Sequence, residues 1–156
     1  MKTSLIDFMD KAISLETCFS ECYEMMIQLG EGQGIAKDLR TLSYQEINHA
    51  NILKTGKNFV LAEPDLFDQV TPTETEMDSG IGLTENLLRK IRGRVIEFNT
   101  AIGELYELEK LFERVHMDVA VTIKEPSLEA LFKNLSKKDA EHKRILEHLM
   151  QMSMPG

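Results

Sequence analysis

The sequence predicts an all-α fold: an antiparallel four-helix bundle with one long crossover between its second and third helices. Three observations predict it. Four segments carry apolar residues at alternating spacings of three and four, the mark of a helix that buries a single stripe. The connections between them read short, long, short, which suits two antiparallel hairpins joined by a crossover. The second pair of segments also repeats the first at a constant offset of 93 residues.

The first helix is expected from Ser4 to Leu29, ending at Gly30, with GEGQG as the turn. The second should cover Ile35 to Val60. The stretch LAEPDLFDQVTPTETEMDSG then holds two of the four prolines and no lysine or arginine, a composition that suits an exposed loop. A short amphipathic piece, TENLLRKIRG, leads into a third long helix from Ile96 to Val121, and Pro126 with Ser127 marks the start of a fourth that runs to Met150.

At 156 residues the chain reads as one domain over positions 1–156. Its formal charge of −8 leaves no basic face for a phosphate backbone or an anionic bilayer, so neither nucleic acid nor membrane is expected as a partner. The N-terminus MKTSLIDFMD lacks the apolar run of a signal peptide, and no stretch is long and apolar enough to span a bilayer. A cytoplasmic location is therefore expected. Cys18 and Cys22 stand one helical turn apart, with Cβ atoms about 6 Å from each other, which disfavours a disulfide. Two reduced thiols packed among helices are expected, a weak thiol metal site being the other reading. With no Cys-x-x-Cys pair, a rubredoxin-type iron site is excluded.

The repeat aligns LSYQEINHANIL, from Leu42, with LSKKDAEHKRIL, from Leu135, and LETCFSECY, from Leu15, with LEKLFERVH, from Leu108. Halves related in this way imply two similar hairpins packed about a pseudo-twofold axis, with matching positions facing one another. Every candidate metal ligand lies at a matching position. The first-helix stripe reads Phe8, Ala12, Glu16, Phe19, Tyr23, Met26, and the third reads Ile102, Leu105, Glu109, Phe112, His116, Val119. Glu46 and His49 interrupt the second stripe, Asp139 and His142 the fourth.

Four carboxylates and two histidines pointing into a helical core require either a compensating cation or solvent, because an unpaired buried charge costs several kcal/mol. Two divalent or trivalent ions would supply the charge. Residues three apart on a helix differ by about 60° in azimuth and about 4.5 Å along the axis, so Glu46 with His49, and Asp139 with His142, can each grip one ion. Glu16 and Glu109 add one carboxylate from each remaining helix. Oxygen-rich sets with one imidazole per metal suit iron or manganese better than structural zinc.

One Glu on each of two helices, and a carboxylate-x-x-His pair on each of the other two, resembles the di-iron carboxylate pattern of the ferritin-like superfamily, in particular its rubrerythrin-like and bacterioferritin-like members. The resemblance covers all four long helices. It implies that Glu16, Glu46, His49, Glu109, Asp139 and His142 hold two metal ions, iron in the family's usual form with manganese or a mixed pair as the alternative, and that Glu46 and Asp139 bridge them. It implies further that Tyr23, seven residues after the first ligand, and its repeat mate His116 hydrogen-bond the ligands from outside. Two departures stand out: Asp139 replaces the family's usual glutamate, and Phe112 occupies the place of an additional rubrerythrin carboxylate, with no rubredoxin domain following.

The activity so implied is oxidation of Fe(II) by dioxygen or hydrogen peroxide, of ferroxidase or peroxidase type, with an unidentified electron donor and a homodimer or larger homo-oligomer as the assembly. Two other readings stay open, an iron storage or transport subunit of a ferritin-type shell and a non-catalytic helical module stabilised by metal. Glu141, about 200° round the helix from Asp139, and His148 are expected to face solvent.

Overall fold

The computed structural model describes residues 5–29, 33–63 and 74–152, and the chain is all-helical there, with no strand among the described residues. Its elements are α1 (Leu5–Leu29), α2 (Gln33–Ala62), α3 (Glu74–Arg92), α4 (Phe98–Thr122) and α5 (Pro126–Met152). The four long helices follow the apolar stripes closely. Ser4 and most of the GEGQG turn lie outside the described residues, although Gln33 and Gly34 already belong to α2. None of the described helices is long and apolar enough to cross a membrane.

Cross-helix contacts fix the directions of travel. Ser20 meets Ser43 and Asp10 meets Lys57, so α1 and α2 run antiparallel. Glu113 meets Lys143 and His116 meets Asp139, so α4 and α5 do the same. The halves join where α1 touches α4 through Tyr23 and Glu109, and where α2 touches α5 through Gln45 and His142. The repeat is visible in the bonding itself: the Ser43 hydroxyl donates to the Ser20 carbonyl at 3.2 Å, and the Ser136 hydroxyl, 93 positions on, donates to the Glu113 carbonyl at 2.8 Å. Repeat mates also face each other, Phe19 and Phe112 meeting edge to face with ring centroids 5.8 Å apart.

The core between the helices is continuous, and Phe8, Leu15, Leu42, Leu105, Phe132, Leu135 and Leu146 are all essentially buried. Each such side chain contributes about 1.5–3 kcal/mol relative to exposure. At the entrance to α5, Pro126 takes the first helical position and the Glu125 carboxylate accepts the Leu128 amide hydrogen bond at 2.7 Å, satisfying one of the free donors of the first turn.

The segment between α2 and α4 differs from its sequence reading. Residues 64–73 of the expected loop lie outside the described residues, but its last part, from Glu74 to Gly80, is helical and continuous with the TENLLRKIR segment. Two buried residues hold this first half down, Met77 and Gly80. A Cβ on Gly80 would lie 2.3 Å from Phe112 Cζ, so α3 approaches the Phe112 ring as only glycine allows. Lys11 with Asp78 and Glu21 with Arg92 show that α3 runs parallel to α1, while Glu76 with Arg114 ties it to α4. Its end is a Schellman turn, in which Val95 N–H donates to Lys90 O and Arg94 N–H to Ile91 O, both at 3.1 Å. Arg94 occupies the left-handed position there at φ 54°.

Candidate metal centre

Glu16, Glu46, His49, Glu109, Asp139 and His142 all converge in the interior, and none exposes more than 3% of its surface. They form three overlapping triads, in each of which one ligand atom per residue lies within 4.8 Å of the others: Glu46, His49 and His142; Glu16, His49 and Asp139; Glu109, Asp139 and His142. These buried carboxylate and histidine clusters could hold metal ions. The two imidazoles, repeat mates, stack with centroids 5.1 Å apart.

Both histidines aim Nδ1 at the carboxylates. His142 Nδ1 lies 2.8 Å from Glu46 Oε1 and 3.3 Å from Glu109 Oε1, and His49 Nδ1 lies 3.8 Å from Glu16 Oε2 and 3.7 Å from Glu46 Oε2. The Glu46 approach is close in distance without hydrogen-bond geometry. Both Glu46 carboxylate oxygens, His49 Nδ1 and Glu109 Oε2 are buried with no hydrogen-bond partner among the described residues. Such groups cost about 1–3 kcal/mol each, and more when charged, so a set of them aimed at a common centre fits a cation that all would coordinate.

The electrostatics agree. Burial, and then the charges of Glu16 and Glu109, push Glu46 well above the usual carboxyl range. Burial with Glu109 and Glu16 does the same to Asp139. For Glu16, burial pushes upward, but neighbouring Glu46 and His49 outweigh it and take the carboxyl down to about 2. His142 is raised because Glu109 and Asp139 outweigh its burial, whereas burial dominates at His116 and lowers it. Four carboxylates at this depth cannot all ionise without added positive charge.

Tyr23 and His116 stand where the repeat places them, with different targets. Tyr23 O–H donates to Glu109 Oε1 at 2.8 Å, on the opposite hairpin. His116 Nδ1 shares a hydrogen bond of 2.6 Å with Asp139 Oδ2, on its own hairpin, rather than reaching Glu16. Phe112 packs its ring against Phe19. Glu141 is half-buried and pairs with Lys138, and His148 is exposed. The thiols of Cys18 and Cys22 are free.

Sequence reasoning missed Gln45, whose Oε1 lies 2.8 Å from His142 Nε2. It sits off the apolar stripe of α2, and its repeat mate is Lys138, so neither periodicity nor the repeat marks it. Ser43 and Ser136 were visible only as a coincidence in the repeat.

No family model matches the chain, and no curated protein or solved structure matches it either.

Proposed function

We propose that the chain is a di-iron carboxylate protein of ferritin-like architecture, in which α1, α2, α4 and α5 form the four-helix bundle and α3 is a helical part of the crossover. The observation that carries this reading is the convergence of six buried ligand-type side chains, with orphaned oxygens and an orphaned imidazole nitrogen facing the same centre. Glu16 and Glu109 would each serve one ion, His49 and His142 would each supply Nδ1, and Glu46 and Asp139 would bridge. Bridging is supported by the triads: Glu46 shares one with both histidines, and Asp139 belongs to one with each. Shortening this side chain to aspartate therefore leaves it within reach of both sides.

When bound, two ferrous ions supply one electron each, and with two protons these take hydrogen peroxide to two waters. The chain's own residues fix the ligand geometry and keep bulk water out of a site lined by buried groups. Tyr23 and His116 orient Glu109 and Asp139 from outside.

Anaerobic loading with ferrous iron tests the reading. Two ions per chain are expected, with a change in the visible spectrum on adding peroxide or dioxygen to separate samples. His49→Ala with His142→Ala should lower the metal count; an unaltered count would remove these residues as ligands. Bound metal with a spectrum unmoved by either oxidant would leave a metal-stabilised module without redox turnover.

A further inference from the structure

We propose that the two metal positions are unequal: the Glu109 and His142 side is a tight site, and the Glu16 and His49 side an exchangeable one, with Glu46 and Asp139 shared between them and Gln45 as the residue that positions His142. The proposal rests on the di-metal reading above and adds to it an order of affinity.

Both ligands particular to the first side, and the shared Asp139, are held from outside the cluster. Tyr23 donates to Glu109 at 2.8 Å, His116 bonds Asp139 at 2.6 Å, and Gln45 bonds His142 at 2.8 Å. On the other side His49 Nδ1 is unpartnered among the described residues, as are both oxygens of the shared Glu46, whereas on the first side Glu109 Oε2 alone of the ligand atoms is so. The ligands particular to each side are repeat mates of the same residue type, so apart from the shared Glu46 and Asp139 the difference lies in their supports.

The Gln45 contact sets which nitrogen of His142 binds metal. An amide oxygen only accepts, so His142 Nε2 carries the hydrogen in that bond. A neutral imidazole has one donor and one acceptor nitrogen, which leaves Nδ1 as the one with a lone pair for a cation, and Nδ1 already lies among Glu46 and Glu109. The ring is fixed in rotation as well as in tautomer. The pseudo-twofold axis places Lys138 where Gln45 would stand for His49. Its ammonium is a donor only and bonds Glu141 at 3.3 Å, so it cannot perform the same task.

Removing one such outer partner lowers metal affinity by about 10–100-fold. Stepwise anaerobic titration with cobalt(II) should therefore resolve two binding constants in the native protein, at least ~10-fold apart. His49→Ala should retain the tight ion and His142→Ala the weak one. Gln45→Leu should weaken the tight constant by about 10-fold or more and leave the weak one unmoved, and Gln45→Glu, which keeps an acceptor, should restore it. In the His142→Ala background Gln45→Leu should change nothing. Nitrogen-15 imidazole spectra of the metal-free chain give a separate signature, a His142 Nε2 proton held in a hydrogen bond in the native and Gln45→Glu proteins and released in Gln45→Leu.

Equal constants in the native protein, equal retention by the two histidine variants, or equal weakening of both ions by Gln45→Leu would overturn the proposal while leaving the di-metal reading intact. A native chain that binds no ion would overturn both, and the imidazole signature would then report a hydrogen bond with no metal to position.

Discussion

Compare the two hairpins position by position. Ser43 and Ser136 tie their helices to the preceding carbonyl of the partner helix, Phe19 meets Phe112, His49 stacks on His142, and Glu16 corresponds to Glu109. The framework is duplicated. The groups around the candidate ligands are not: Tyr23 stands against His116 and Gln45 against Lys138, and one candidate ligand pair itself differs, Glu46 against Asp139. A repeat of this kind separates two requirements. Convergence of the carboxylates needs only matching helix geometry, which both halves keep, whereas holding each ligand in one orientation needs particular donors and acceptors, which gather on one side.

The largest effect that could break the comparison is metal removal. A ligand that binds only the folded state at a thousandfold excess over its dissociation constant stabilises by about 4 kcal/mol, so chelation should lower the melting temperature markedly. The pH dependence should also reverse sign. In the metal-free chain, Glu46, Asp139 and His142 have raised folded pKa values, so their contribution is present at low pH and is lost as pH rises through those values. The lowered groups, Glu16 and His116, contribute oppositely, but that contribution is complete above the unfolded histidine pKa of about 6.5. As pH rises above about 6.5 the metal-free protein should therefore lose stability. The loaded protein should hold or gain it, because its ligands must be deprotonated. Melting curves that fall in parallel with and without metal would place the buried carboxylates outside any cation site.

Next in size is the core. Leu42 and Leu135 are repeat mates, each fully buried. Leu42→Ala and Leu135→Ala should each cost about 2–5 kcal/mol in denaturant unfolding. Similar losses would show that the duplicated framework is energetically duplicated; a large difference would mean that the halves pack unequally despite their shared pattern.

Much of this was legible in the sequence because a charged residue inside an apolar stripe is a strong signal, and six such residues recur in register. The long helices were legible for the same reason of period. The start of α3 was not. Its segment ETEMDSGIG offers a single large buried anchor, Met77, among acidic residues and glycines that read as loop formers, and its helix depends on tertiary packing against α1 and Phe112. Gln45 escaped because a residue that grips another helix's histidine has no periodic signature. His116 was found without its target, since a repeat predicts where a side chain starts and not which of two nearby carboxylates it will bond.

The crossover supplies a finer test of the same distinction between framework and local fit. At Gly80 a methyl group would enter the Phe112 ring, so Gly80→Ala should destabilise by about 1–3 kcal/mol, less the gain in helix propensity. Gly82, on the exposed face of the same helix, has nothing within 4 Å of its notional Cβ, so Gly82→Ala should instead stabilise by about 1 kcal/mol. Equal effects at the two positions would mean that α3 does not lean on Phe112.

The smallest effect belongs to Arg94. This exposed residue holds a left-handed conformation at φ 54°, a region that costs a side chain-bearing residue roughly 1 kcal/mol and costs glycine nothing. The two turn bonds from Arg94 and Val95 are made by backbone amides, so they survive any change of side chain. Arg94→Gly should therefore raise stability, by less than about 1 kcal/mol because the added glycine also gains freedom in the unfolded chain. A shift of this size moves the melting temperature of a domain this large by only a few degrees, with metal binding unaltered. A fall in stability instead would show that the Arg94 side chain, and not the turn geometry, anchors the junction between the crossover and the second hairpin.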